Sequence, residues 1–314
     1  MPREPSDTKF LIGHPAFAAG LSPCLWAPLL RANTVDSCFI QSQGNTVTES
    51  RNTALTKVPA ITLGFWIIKI LATTFGETAG DSVSMSWLGE TTANAPTDFW
   101  HSGYLIGTAI FGVLLAMLVT VQIWAKRFNP WLYWATIIAS TTAGTTMADF
   151  VTRSMGIGYS GGSLLLLGCV LSALFVWHQT LGSVSVSSVH EPKAELFYWV
   201  TITFSQTLGT ALGDWIADGP LGYLGSAVIF GALLALIAAL YFRTAISHIA
   251  LFWAAFILTR PLGAVVGDFL DKPHTKGGLE LSRVWATLVL GIAIAALIMV
   301  FRQQAAASKT LKND

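Results

Sequence analysis

Four stretches of one chain decide how it folds: FWIIKILATTFGETAGD (65–81), YWATIIASTTAGTTMAD (133–149), YWVTITFSQTLGTALGD (198–214) and FWAAFILTRPLGAVVGD (252–268). They align without gaps. A tryptophan (Trp66, Trp134, Trp199, Trp253) stands fifteen residues before an aspartate (Asp81, Asp149, Asp214, Asp268). A glycine (Gly76, Gly144, Gly209, Gly263) stands five before it, and a small residue (Gly80, Ala148, Gly213, Gly267) one before it. Such self-similarity at fixed register marks internal duplication. The aspartates are 68, 65 and 54 residues apart, room for two helices and a loop per unit. Units of two spans keep the same orientation, so the repeats are expected to be parallel, about an axis along the membrane normal.

Working outward, long apolar runs alternate with short polar breaks after residue 56. Eight runs cover 58–80, 102–125, 131–152, 160–179, 196–217, 222–242, 248–269 and 283–301. Each is long enough to cross a hydrocarbon layer of about 30 Å as a helix. Period-2 alternation is absent, which argues against membrane-spanning strands. Composition agrees: 53% of the 314 residues are hydrophobic and only 11% charged, with a mean hydropathy of +0.59. A soluble domain carries about 25% charged residues. The expected fold is all-α and polytopic, with eight transmembrane helices forming repeats 57–127, 128–192, 193–246 and 247–305 of a domain over 51–305. A short tail, 306–314, follows.

Residues 1–50 differ from the rest. Pro15, Pro23 and Pro28 break their apolar stretch, so a signal peptide fits poorly. The segment reads as disordered, or as non-native sequence ahead of a start at Val47. Lys and Arg set the expected orientation. Arg51, Lys57, Lys126, Arg127, Lys193, Arg243, Arg302, Lys309 and Lys312 lie on one side, and Arg153, Lys272, Lys276 and Arg283 on the other. Nine against four predicts both termini in the cytoplasm, here of a bacterial inner membrane.

The small residues one and five before each aspartate allow close helix packing. The four motif helices are therefore expected at the centre, with the plainer even-numbered helices outside. Steps of four back from each aspartate share a helix face. That face reads Lys69, Thr73, Glu77, Asp81 on helix one and Thr141, Thr145, Asp149 on helix three. On helices five and seven it reads Gln206, Thr210, Asp214 and Arg260, Ala264, Asp268. Pro261 is expected to kink helix seven. Ionisable groups in a membrane cost about 2.5–3.5 kcal/mol each, so they persist where they pair or serve a pathway. Asp81, Asp149, Asp214, Asp268 and Glu77 against Lys69 and Arg260 leave three negative charges over. Carboxylate, hydroxyl and amide oxygens suit a hard divalent cation such as Mn²⁺ or Mg²⁺. The competing reading of each aspartate is a water-facing or capping residue at a helix end. Asp218 and Asp271 read as external loop residues. The motif tryptophans read as interfacial anchors or as packing.

Several classes drop out. Net charge is +1, which gives no basic field for nucleic acid. Cys24, Cys38 and Cys169 form no metal or disulfide signature. No nucleotide loop, GxSxG or HExxH occurs, so neither enzyme nor cofactor is expected. GETAGD (76–81), LGTALGD (208–214) and LGAVVGD (262–268) resemble a bacterial family described only as uncharacterised membrane-anchored proteins. The resemblance spans about residues 48–305 and implies the repeat without a function.

The residues point first to a transporter of a cation, divalent or proton-coupled. Asp81, Asp149, Asp214, Asp268 and Glu77 would hold it, while Thr73, Thr145, Gln206 and Thr210 line the path. Two alternatives stand beside it. One is a carrier of a small organic anion held by Lys69 and Arg260. The other is a scaffold or sensor whose charges only hold helices together. The expected partners are the bilayer and a small ion or solute.

Overall fold

A computed structural model describes residues 55–91, 99–186, 189 and 191–307; the expectations for 1–50, and for the tail beyond 307, fall outside them. Eight α-helices follow in order: α1 Leu63–Asp81, α2 Gly103–Trp124, α3 Pro130–Asp149, α4 Gly158–Leu181, α5 Pro192–Ala217, α6 Gly222–Arg243, α7 His248–Asp271 and α8 Arg283–Val300. They match the eight apolar runs closely.

The motif helices start at well-defined stops. Thr62 Oγ1 accepts the Phe65 N–H at 3.2 Å, Asn129 Oδ1 accepts the Trp131 N–H at 3.0 Å ahead of Pro130, and Ser247 caps α7. Pro192 opens α5. Such caps satisfy amide donors that the first turn leaves unpaired. The helices α1 and α3 continue past their aspartates in π-helical turns, over Ser82–Trp87 and Phe150–Ser154. By contrast, α7 runs continuously through Pro261.

The start of the first unit departs from expectation. The apolar run from residue 58 predicts helix there, but Leu55–Pro59 is a strand, β1, paired antiparallel with β2, Ala305–Ala307. Thr56 Oγ1 also donates to the Ala306 carbonyl at 3.0 Å. The residues just before Leu63 thus find backbone partners in the segment after α8, a pairing across 250 residues that no local pattern announces.

The helices α1, α3, α5 and α7 form a closed ring in that order, each packed on the next and α7 back on α1. The even helices lie outside, as expected, but each packs on the inner helix of the following unit. Leu115 of α2 clusters with Ala139 and Ala143 of α3. Leu166 and Val170 of α4 meet Leu208 and Ala211 of α5. Tyr223 and Phe230 of α6 meet Val265 of α7. α8 closes the cycle on α1, where Thr287 and Thr78 hydroxyls lie 2.9 Å apart. The sequence unit is therefore not a self-contained hairpin.

Five helices, α2, α4, α6, α7 and α8, are long and apolar enough to cross a membrane. The other three, α1, α3 and α5, carry the threonines and acids of the polar face, and that face is buried inside the ring. The outer helices instead expose Ile110, Val113, Leu164, Phe175, Val228 and Ile292, the surface a multi-pass protein offers to lipid.

Candidate functional site

Close approach in the ring rests on the repeated glycine. A Cβ on Gly144 would stand 2.9 Å from the Gln206 Cβ of α5. Gly76 meets Thr141 of α3 in the same way, Gly209 meets Arg260 of α7, and Gly263 meets Thr73 of α1. Each partner stands eight residues before its own aspartate. The small residue next to the aspartate repeats the trick one turn on: Gly80 faces Thr145, Gly213 faces Ala264 and Gly267 faces Glu77. One cyclic rule thus fixes the register of all four parallel helices and stacks the polar faces as levels along an axis.

The lowest level is aromatic. Phe65, Tyr133, Tyr198 and Phe252 are buried, and the two tyrosine hydroxyls meet at 2.7 Å. Trp134, Trp199 and Trp253 are buried beside them and join their edge-to-face network. Of the two readings of the motif tryptophan, packing holds for these three. Lys69, Ile137, Ile202 and Phe256 come next, all fully buried, with the Lys69 ammonium 4.1 Å over the Phe256 ring. Above them lie Thr73, Thr141, Gln206 and Arg260.

Arg260 plugs the middle of the axis. Its Nη1 donates to the Thr73 carbonyl at 3.0 Å. Its Nη2 donates to Glu77 Oε2 at 2.9 Å and to the hydroxyls of Thr145 and Thr210 at 2.5 Å each. Those three residues stand four before the aspartates of the other three helices. The equivalent residue of its own helix is Ala264, which leaves the guanidinium its space. Thr73 Oγ1 turns aside to the Thr259 carbonyl at 3.2 Å.

The four aspartates form the upper level, and each is only 1–4% exposed. The reading of water-facing helix ends therefore fails for all four. Two cations that the sequence assigned to the far-side loops hold them instead. Arg153 bridges Asp149 at 3.1 Å and Asp214 at 3.0 Å. Lys272 binds Asp268 at 3.0 Å and also pairs with Asp81. Asp271, expected in an external loop, is buried and pairs with Arg283 at 2.7 Å. Asp218 remains exposed, as expected, and accepts the Tyr159 hydroxyl at 2.6 Å.

The missed cations carried a signal. One more step of four beyond the aspartate reaches Arg153, in the π-helical turn that follows α3, and Lys272, the residue that ends α7. Their inclusion changes the balance. Glu77 and the four aspartates now face Arg153, Arg260, Lys272 and Lys69, so one negative charge is left over rather than three.

Oxygens of Glu77, Asp214 and Asp268 lie within 4.8 Å of one another, and so do those of Asp81, Asp268 and Asp271. The second trio already surrounds the Lys272 ammonium. Lys69 joins neither trio, and the amide atoms of Gln206 have no partner among the described residues.

A family model described as Repeat of Unknown Function (DUF347) matches residues 64–128, 132–182, 197–247 and 251–305. The chain belongs to the DUF347 repeat family. The four DUF347 matches coincide with the four units, one motif helix and one outer helix in each. No curated protein matches the chain, and no solved structure does. The DUF347 repeat thus brings an architecture, and its chemistry rests on the residues along the axis.

Proposed function

We propose that this DUF347 protein is a multi-pass membrane transporter that passes a cation along the ring axis, with a divalent metal such as Mn²⁺ as first candidate cargo. In this reading all eight helices span a bacterial cytoplasmic membrane and both termini are cytoplasmic. Arg153, Lys272 and Arg283, three of the four far-side basic residues, are engaged by buried acids, which supports that orientation.

The carrying observation is the convergence of Glu77, Asp214 and Asp268, from three different helices, to within 4.8 Å at a buried level. Three carboxylate oxygens at that spacing suit a hard cation. The near balance of charge sets the terms of entry. A dication gains full attraction only if Lys272 leaves Asp268, or if protons leave with the exchange. The acids and their tethered cations then act as an exchange site, which fits coupling to protons. Glu77 links this level to Arg260, so the arginine would sense whether the site is filled.

The test uses full-length protein in liposomes enclosing a dye that Mn²⁺ quenches. Wild-type protein should quench the dye under a Mn²⁺ gradient. Asp268→Asn should slow quenching at least tenfold, and Glu191→Gln, at an exposed position, should leave it unchanged. Wild-type protein that moves neither Mn²⁺, Mg²⁺ nor protons would overturn the proposal.

A further inference from the structure

Arg260 and Lys69 are both buried cations of the axis, yet their surroundings differ. Arg260 meets a carboxylate, two hydroxyls and a carbonyl. Lys69 is fully buried and its ammonium has no acceptor among the described residues. The ammonium lies over the Phe256 ring. The attraction of a cation to a benzene ring is smaller than the cost of removing an ammonium from water. The ring alone does not hold that charge.

The amide of Gln206 is in the same position. It is fully buried, and neither its oxygen nor its nitrogen is hydrogen-bonded among the described residues. An amide buried without hydrogen bonds loses those it made to water. Gln206 roots against Gly144 of α3 as Arg260 roots against Gly209 of α5, one level above Lys69, about 6 Å along the helix at 1.5 Å per residue. In the ring order, α1 and α5 stand opposite each other. Two buried polar groups without hydrogen-bond partners among the described residues thus come from opposite helices at adjacent levels, between the Arg260 guanidinium and the aromatic level.

We infer that this stretch binds a small hydroxycarboxylate, its carboxylate on the Lys69 ammonium and its hydroxyl on the Gln206 amide. The reasoning is one of donors and acceptors. Lys69 offers donors only and so calls for an anion. Gln206 offers a donor and an acceptor, and a hydroxyl answers both, whereas a halide answers only the donor. The two terminal nitrogens of Arg260 are already engaged by protein acceptors, while its Nε has no hydrogen-bond partner among the described residues and borders the same stretch. The site lies below the carboxylate levels and stands independently of the cation reading.

Scanning fluorimetry on purified full-length protein tests it, with glycolate, acetate and chloride as probes at matched ionic strength. Glycolate should raise the wild-type melting temperature most, acetate less and chloride least. Lys69→Met, which swaps the ammonium for an apolar chain of similar shape, should fold at least as stably as wild type without added anion. It should lose the glycolate shift. Gln206→Leu should weaken glycolate at least tenfold and acetate less. Three results would overturn the inference: no anion shifts the wild-type protein, Lys69→Met responds as wild type does, or chloride alone is effective. Asp268→Asn should keep its glycolate shift, so failure of the cation reading leaves this one standing.

Discussion

Arg260 shows most clearly how one side chain shapes the axis. The fourth repeat places an arginine where the other three carry threonine or glutamine, and an alanine where they carry threonine or glutamate. Guanidinium geometry explains the pairing. A planar fork with several donors engages three helices at once, provided its own helix gives way. Breaking a buried ion pair by removing one partner costs about 3–5 kcal/mol, because the survivor stays buried and charged. Arg260→Met should therefore lower stability by about that much in a denaturant titration, and Arg260→Met with Glu77→Leu should recover most of the loss. A double variant no better than the single one would show that Arg260 acts through its hydroxyl contacts instead.

Between elements, packing is governed by where a methyl group fits. Gly76 has no room, since a Cβ there would collide with the side chain and backbone of Thr141. Gly112 on α2 has nothing within 4 Å of the same position. Two glycines in apolar helices thus differ only by what stands opposite. Gly76→Ala should cost about 2 kcal/mol or more, as overpacked sites do, and Gly112→Ala should be neutral or add up to about 1 kcal/mol through helix propensity. Unfolding midpoints of the two variants in detergent measure the contrast. Equal midpoints would mean that the ring helices are not glycine-limited. The repeated glycine was legible in the sequence as a small-residue step, but its partner was not. Spacing within one helix does not say which neighbour, or which level of it, will fill the groove.

At the scale of the molecule the ring is cyclic, and α8 docks on α1 rather than on α7 of its own unit. Each outer helix covers the next inner helix, so the last one must return to the first. The Thr78 and Thr287 hydroxyls lie 2.9 Å apart, so the two side chains meet. With Cys24, Cys38 and Cys169 replaced, Thr78→Cys with Thr287→Cys should cross-link within one chain on mild oxidation, read as a mobility shift that reductant reverses. Failure to cross-link would mean that the fourth unit folds back on itself.

By itself the sequence determined the number of helices, the fourfold duplication, the inner position of the motif helices and the polar face. These follow from hydrophobic runs and from spacings along single helices, which are local properties of a chain. Only the tertiary structure decided which cations meet which acids, which outer helix covers which inner one, and where β1 finds its partner. Arg153 and Lys272 read as loop charges because an ordinary loop solvates them. They became counter-ions because closure of the ring brought four aspartates to one level, where buried charge must be matched. The same closure left Lys69 and Gln206 buried without hydrogen-bond partners among the described residues, a feature that neither helix reveals alone.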